Sequence, residues 1–203
     1  MALAGTKQYL SEAQYLSIER AAEFKSEFFK GEIFAMAGGS PMHSLIAANL
    51  IRHLGNKLEN HSCKVFTSDL RLKIEATGLF TYADAPVICG PLQFAVGTDD
   101  TVVNPALIAE VLSPSTEAYD RGEKFQHYRQ IPSLQEYLLV NQRLPRIEQF
   151  LRAPNGEWTL RTADSANATL ALPSLKITLE LNKIFAGVEF PAGPIRPQIP
   201  PRT

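Results

Sequence analysis

The run ALIAEVL, Ala106 to Leu112, is apolar at nearly every position. A strand with one face in water alternates apolar and polar residues, so a run apolar on both faces reads as a strand inside a sheet with layers above and below it. Glu110 interrupts that run. Burying a lone ionised carboxylate is very costly, so the group has to be paired, bound to a cation or protonated.

The neighbouring segments supply a sheet and its covering helices. CKVFTSDLRLKIEA reads as one long strand, with Val65, Thr67, Asp69, Arg71 and Lys73 on one face. FTYADAPVICG reads as a second, with Asp84 near its start and Val87-Ile88-Cys89 as a buried run. After Pro114, STEAYDRGEKFQHYRQ reads as a helix that Gly122 weakens by about 1 kcal/mol relative to Ala and Pro132 stops. EYLLVN is another buried strand, RIEQFLRAPNGEWTLR a hairpin turning at Pro154-Asn155-Gly156, and LKITLELNKIFAGV a last strand and short helix.

Upstream, SEAQYLSIERAAEF reads as a helix capped by Ser11, and SEFFKGEIFAMAGG as a hairpin about Lys30-Gly31. SPMHSLIAANLIRHLGNKLEN is the clearest helix: Ser40 caps it, Pro41 takes the first position, and Ile46, Leu50, Leu54 and Leu58 repeat every four residues. Together these predict an α/β (α+β) domain over residues 1–190, a mixed sheet flanked by helices. The stretch 191–203, PAGPIRPQIPPRT, is a proline-rich tail expected to be extended.

With 45% hydrophobic residues the 203-residue chain can bury a good core, and its net charge of -1 gives no general attraction to phosphate polymers. Any nucleic-acid surface has to be a local patch, for example around Arg52, Lys57, Arg71 and Lys73, which a homodimer could double into a cleft. Cys63 and Cys89 are too few for a disulfide scaffold and form no Cys-x-x-Cys pair, so reduced thiols are expected. No signal-peptide core or membrane-length apolar run is present, which predicts a soluble cytoplasmic protein with no membrane partner.

Asp84 and Glu110 are acids on two consecutive apolar strands. If those strands are neighbours, the two carboxylates meet at one sheet edge and either share a proton or hold a hard cation such as magnesium. The plainer reading is that each pairs with an arginine or caps a backbone. Lys124 shares a helix face with Asp120 and Tyr128 and either points back over the strand end or is a solvated lysine paired with Asp120. His43 falls on the inward stripe of its helix, as a core, capping or site histidine.

The segments FKGEIFAMAGGSPMHSLIAANL, SDLRLKI, YADAPVICG, NPALIAEVLSPST and YDRGEKFQHYRQIPSLQEYLLV, in that order, resemble the bacterial putative restriction endonuclease family of the PD-(D/E)XK nuclease-like superfamily. The resemblance implies a restriction-endonuclease-like core with added N-terminal and C-terminal β-hairpins. It also implies that Asp84 and Glu110 are the metal-binding acids for Mg2+ or Mn2+. The superfamily lysine two residues after the glutamate is Leu112 here, so Lys124 from the next helix is its implied replacement. Ala83 stands where the family tends to have proline. Glu32, His43 and Asp69 are implied as further members of the site.

Two functions of different classes follow. One is a metal-dependent endonuclease hydrolysing DNA phosphodiester bonds with Asp84, Glu110 and Lys124. The other is a catalytically degenerate nuclease fold acting as a binding module, with the Trp158 hairpin and the tail as contact surfaces. A serine hydrolase using His43 or His53 has neither a Gly-x-Ser-x-Gly elbow nor a Ser–His–Asp order to support it.

Overall fold

The computed structural model describes residues 9–36 and 38–190; the proline-rich tail expected over 191–203 lies outside them. The helix α1 (Glu12–Ala21) leads through β1 (Ser26–Phe29) and β2 (Glu32–Ala35) to the long α2 (Pro41–Lys57). Then come β3 (Cys63–Val65), β4 (Arg71–Ile74), β5 (Leu79–Tyr82), β6 (Ala85–Cys89), β7 (Thr101–Val102) and β8 (Leu107–Leu112). Two short helices, α3 (Glu117–Arg121) and α4 (Glu123–Tyr128), precede β9 (Glu136–Asn141), β10 (Ile147–Arg152), β11 (Trp158–Ala163), β12 (Thr169–Leu172) and β13 (Ile177–Glu180), followed by α5 (Leu181–Ile184).

These strands form a six-stranded sheet, β11-β10-β9-β8-β6-β3, a five-stranded sheet, β2-β1-β5-β4-β7, and the hairpin β12-β13. The six-stranded sheet is mixed, because β8 runs parallel to β9 and antiparallel to β6. Both faces of β8 are covered, as its sequence requires. Leu107, Ala109 and Val111 pack under Ile46, Leu50 and Leu54 of α2 and Leu181 and Ile184 of α5. Ile108 and Leu112 face Phe125 and Tyr128 of α4 and Leu72 and Leu79 of the five-stranded sheet. Glu110 lies on this second face.

Each of the two long strands read from the sequence is in fact two strands in different sheets. Between β3 and β4 the chain turns at Thr67–Leu70: the Leu70 amide donates to Thr67 O at 3.2 Å, and Lys25 Nζ grips Ser68 O at 2.9 Å. Between β5 and β6 it crosses sheets at Ala83–Asp84. At the first break three polar residues in a row, Thr67-Ser68-Asp69, stop the alternation and are the turn signal that reading one long strand passes over; at the second, Asp84 is the one charged residue between Leu79 and Cys89 and no polar cluster marks the crossing. The helix after Pro114 also splits, at Gly122 (φ −108°, ψ −98°), and β12 was not anticipated.

Other expectations are corrected. Cys63 and Cys89 are not reduced thiols but a disulfide, because the β3–β6 register sets them directly opposite each other. Each of the four cations considered for a basic cleft is already engaged by a neighbour. Arg71 is buried and donates to Tyr82 Oη at 2.9 Å, Lys73 pairs with Glu12, Lys57 with Glu180, and Arg52 donates to Asn49. Trp158 is half-buried, its ring edge-on to Phe125 at 5.3 Å. His53 is bound to Glu180 rather than to a serine nucleophile. Among the described residues no helix is long and apolar enough to cross a membrane.

Asp100, next to β7, ties α1 to the five-stranded sheet. Its carboxylate receives Arg20 Nε at 2.8 Å and Nη2 at 3.1 Å, Thr101 Oγ1 at 3.0 Å and Arg71 Nη1 at 3.4 Å. The Arg20 hydrogen bond, with Thr101 and Arg71 behind it and burial opposing, holds its pKa at about 2, below the ordinary 3.8. A depressed acid stabilises the fold above its unfolded pKa and loses that contribution as pH falls towards its folded one. Asp100→Asn is therefore expected to be less stable than the wild type at pH 7, with the difference shrinking as pH falls from 3.8 towards 2. Urea midpoints across that window check it; a pH-independent difference would rule it out.

Candidate active site

The β6–β8 register pairs Ala85 with Ala109, and one step beyond that pair brings Asp84 beside Glu110. The two are interlocked through the backbone: Asp84 N–H donates to Glu110 Oε2 at 3.2 Å, and Val111 N–H donates to Asp84 Oδ2 at 2.8 Å. Both line a cleft of about 520 Å³ where the two sheets diverge, together with His43, Tyr82, Asp120 and Lys124. Asp84 is the more open of the two, its side chain 19% exposed against 5% for Glu110.

The helix break at Gly122 starts α4 afresh, and Lys124 and Tyr128, one turn apart, both reach Glu110. Lys124 Nζ lies 3.0 Å from Glu110 Oε1, and Tyr128 Oη donates to the same oxygen at 2.8 Å. The lysine thus points back over β8, and it keeps Asp120 as well, at 3.7 Å. Its other neighbours are Glu27 Oε1 at 3.5 Å and the Tyr82 carbonyl at 3.3 Å. A Cβ on residue 122 would stand 3.0 Å from Ala118 O, which is why glycine suits the break.

Glu27 is the acid that the sequence reading missed. The β1–β5 register pairs Phe28 with Phe80, so Glu27 lies opposite Thr81, whose Oγ1 donates to it, and Tyr119 Oη donates to it at 3.0 Å. Glu27 follows two polar residues, Lys25 and Ser26, so the sequence does not mark it as it marks Glu110 inside ALIAEVL; it is buried behind the cleft and does not line it. Glu32, expected in this role, stands opposite Phe29 at the start of β2 and is not among the residues lining the cleft. Asp69 is also outside it, 82% exposed and paired with Lys25 at 2.9 Å. His43 does belong, its Nε2 3.1 Å from Asp84 Oδ2. Gly39 makes room for that ring, since a Cβ there would come 2.7 Å from His43 Nδ1.

The electrostatics follow from burial. Desolvation drives the Glu110 carboxyl up to about 8, with Lys124 pulling it down and Asp84 and Asp120 pushing it further up. Burial opposes the charge on Lys124, yet the fields of Glu110, Glu27 and Asp120 outweigh it and hold the ammonium well above the ordinary lysine value. Burial also raises Asp120. The hydrogen bond to Asp84 raises His43 above the ordinary histidine range.

Among the described residues no group of three or more His, Cys, Asp or Glu side chains is placed to hold a metal. Asp84 and Glu110 are still two hard oxygen donors, and magnesium takes one or two carboxylates and completes its shell with water or phosphate oxygens. The donor chemistry fits that cation, with the cleft as the route to it.

A family model described as putative restriction endonuclease, Uma2, matches residues 12–182. The chain belongs to that family. Two uncharacterised proteins of Synechocystis sp. strain PCC 6803 are similar to it. One, sll1609, is 38% identical over 177 residues, covering 87% of this chain and all of that one. The other, slr1290, is 36% identical over 181 residues, covering 89% and 94%. The crystal structure of a putative nuclease of DUF820 from Anabaena variabilis superposes with a TM-score of 0.70 at 16% identity, over 86% of this chain and 96% of that one. At that identity the likeness establishes a shared nuclease-like fold.

Removing the ammonium would leave three carboxylates facing one another in a buried space. Lys124→Met is expected to cost about 3 kcal/mol at pH 7. The acids would then hold protons in the folded state that they release on unfolding, so the deficit should grow as pH rises and shrink as it falls. Denaturation of both proteins at pH 5.5 and 8 checks this; a deficit that does not depend on pH would contradict it.

Proposed function

We propose that the protein is a divalent-metal-dependent endonuclease that hydrolyses DNA phosphodiester bonds, with Asp84 and Glu110 as ligands of Mg2+ or Mn2+. The observation that carries this reading is the convergence of Asp84, Glu110 and Lys124 at one cleft in a chain of the putative restriction endonuclease family. A bound divalent ion would polarise the phosphoryl oxygen and lower the pKa of an attacking water. Asp84 would present its carboxylate from the rim, held by the Val111 amide and by His43. Glu110 would act from the floor, oriented by Tyr128 and the Asp84 amide.

Lys124 replaces the lysine that the superfamily places two residues after the glutamate, where Leu112 is buried. As a charged donor it would orient the water or offset charge developing on the phosphoryl oxygens. Glu27 and Asp120 keep it in place. One observation favours the second reading, a nuclease fold kept as a binding module. The Lys124 side chain is only 6% exposed and ringed by three carboxylates, a position that also suits a purely structural counter-ion.

Plasmid DNA incubated with magnesium, manganese or EDTA separates the two. Divalent-dependent cutting should fall by at least about a hundredfold in Asp84→Ala and in Glu110→Ala, and manganese titration calorimetry should show the same two variants losing the ion. Cutting that survives both substitutions, or a wild type that binds no divalent ion, would remove the nuclease reading and leave the binding module.

A further inference from the structure

The cleft has an apolar feature that phosphate chemistry does not use. Phe24, in the connection between α1 and β1, lines the cleft that holds Asp84, Glu110 and Lys124, and the residue is 81% exposed. No aromatic side chain among the described residues is more exposed. A ring in that position has not simply failed to find the core, because the chain on its C-terminal side is firmly anchored. Lys25 is fixed to Ser68 O and Asp69 at 2.9 Å each, and its own carbonyl accepts the Met36 amide at 3.1 Å. The Ser26 amide is held by Glu19 Oε1 at 2.9 Å. Phe24 is presented from a rigid base at the mouth of the cleft.

The charges in the same cleft argue against a duplex laid along it. Its carboxylates are Glu23, Asp84, Glu110 and Asp120, and its lysines are Lys25 and Lys124. Both lysines already sit within 3.0 Å of an acid. Gripping a duplex takes a track of cations to neutralise several phosphates, and none lines this cleft. Its volume, about 520 Å³, is that of a small-molecule pocket, enough for a nucleotide-sized group. Single strands bind where bases stack on exposed aromatic rings beside cations that follow the backbone, and the stacking itself needs no particular base. Hydroxyls of Ser44, Thr67 and Ser113, which also line the cleft, can meet the polar edges of such a base.

We infer that the cleft takes an unpaired nucleotide of a single-stranded nucleic acid, its base stacked on Phe24 and its phosphate turned towards Asp84, Glu110 and Lys124. The placement of the phosphate rests on the nuclease reading; the stacking on Phe24 does not.

Anisotropy of a labelled oligothymidylate and of a labelled hairpin duplex, both in EDTA, tests the stacking without any cutting. The single strand should bind more tightly than the duplex. Phe24→Ala should weaken single-strand binding by about 5- to 100-fold, Phe24→Trp should retain it, and duplex binding should not change. Because the ring is exposed, neither substitution threatens the fold. Equal binding of the single strand by wild type and Phe24→Ala, or equal affinity for strand and duplex, overturns the inference. Metal-dependent cutting of the same single strand, assayed beside it, keeps the two readings apart. Cutting lost in Asp84→Ala with Phe24→Ala binding like the wild type removes the stacking site and leaves the nuclease. Phe24-dependent binding with no cutting leaves a nucleotide site and removes the hydrolytic reading. Neither binding nor cutting removes both.

Discussion

The buried charge on Lys124 is the constraint around which the two sheets are joined. Its ammonium lies between Glu110 of the six-stranded sheet and Glu27 of the five-stranded sheet, with Asp120 of α3 at its side. A buried cation without partners would cost several kcal/mol, and so would each carboxylate, so none of the four can be moved independently of the others. Tyr119 and Tyr128 add hydroxyl donors to Glu27 and Glu110. The geometry that makes the cluster stable also sets Glu110 and Asp120 at the cleft, with Glu27 behind them.

The cleft lies where it does because the chain changes sheets. The step from β5 to β6 at Ala83–Asp84 takes the backbone from one sheet to the other, and a carboxylate at that step is left at the parting of the two. On the five-stranded side a second polar network stiffens the same region. Tyr82 donates to Glu19 and accepts from Arg71, and Arg71 reaches Asp100, which holds Arg20 of α1. Tyr82 also gives its carbonyl to Lys124. The two networks share one residue, so α1, both sheets and α4 are linked through polar contacts as well as through the core.

Most of the candidate site could be read from residue type and context. Acids that interrupt apolar strands have to be explained, and that criterion picks out Asp84 and Glu110; Glu27, at the polar end of SEFF, escapes it. Nor does that criterion pick out Glu32 and Asp69, which the family pattern alone suggests and which do not line the cleft. Their segments are polar or at strand ends, where a carboxylate can be satisfied by water or by a nearby lysine and carries no such demand.

The sequence alone determined the kinds of element and the layers over β8, because a strand apolar on both faces can be stable only when both faces are covered. It also determined the helix caps at Ser11 and Ser40 and the two hairpin turns at Lys30-Gly31 and Asn155-Gly156, which depend on local backbone chemistry. Only the tertiary structure decided that the long strands divide between two sheets: the polar Thr67-Ser68-Asp69 allows a turn without saying which sheet follows, and no polar cluster marks Ala83–Asp84. Pairing register alone placed Cys63 against Cys89, Asp84 beside Glu110 and Glu27 across from Thr81. Register is set by contacts between residues far apart in the chain, and a single sequence shows which residues need partners without showing which ones they meet.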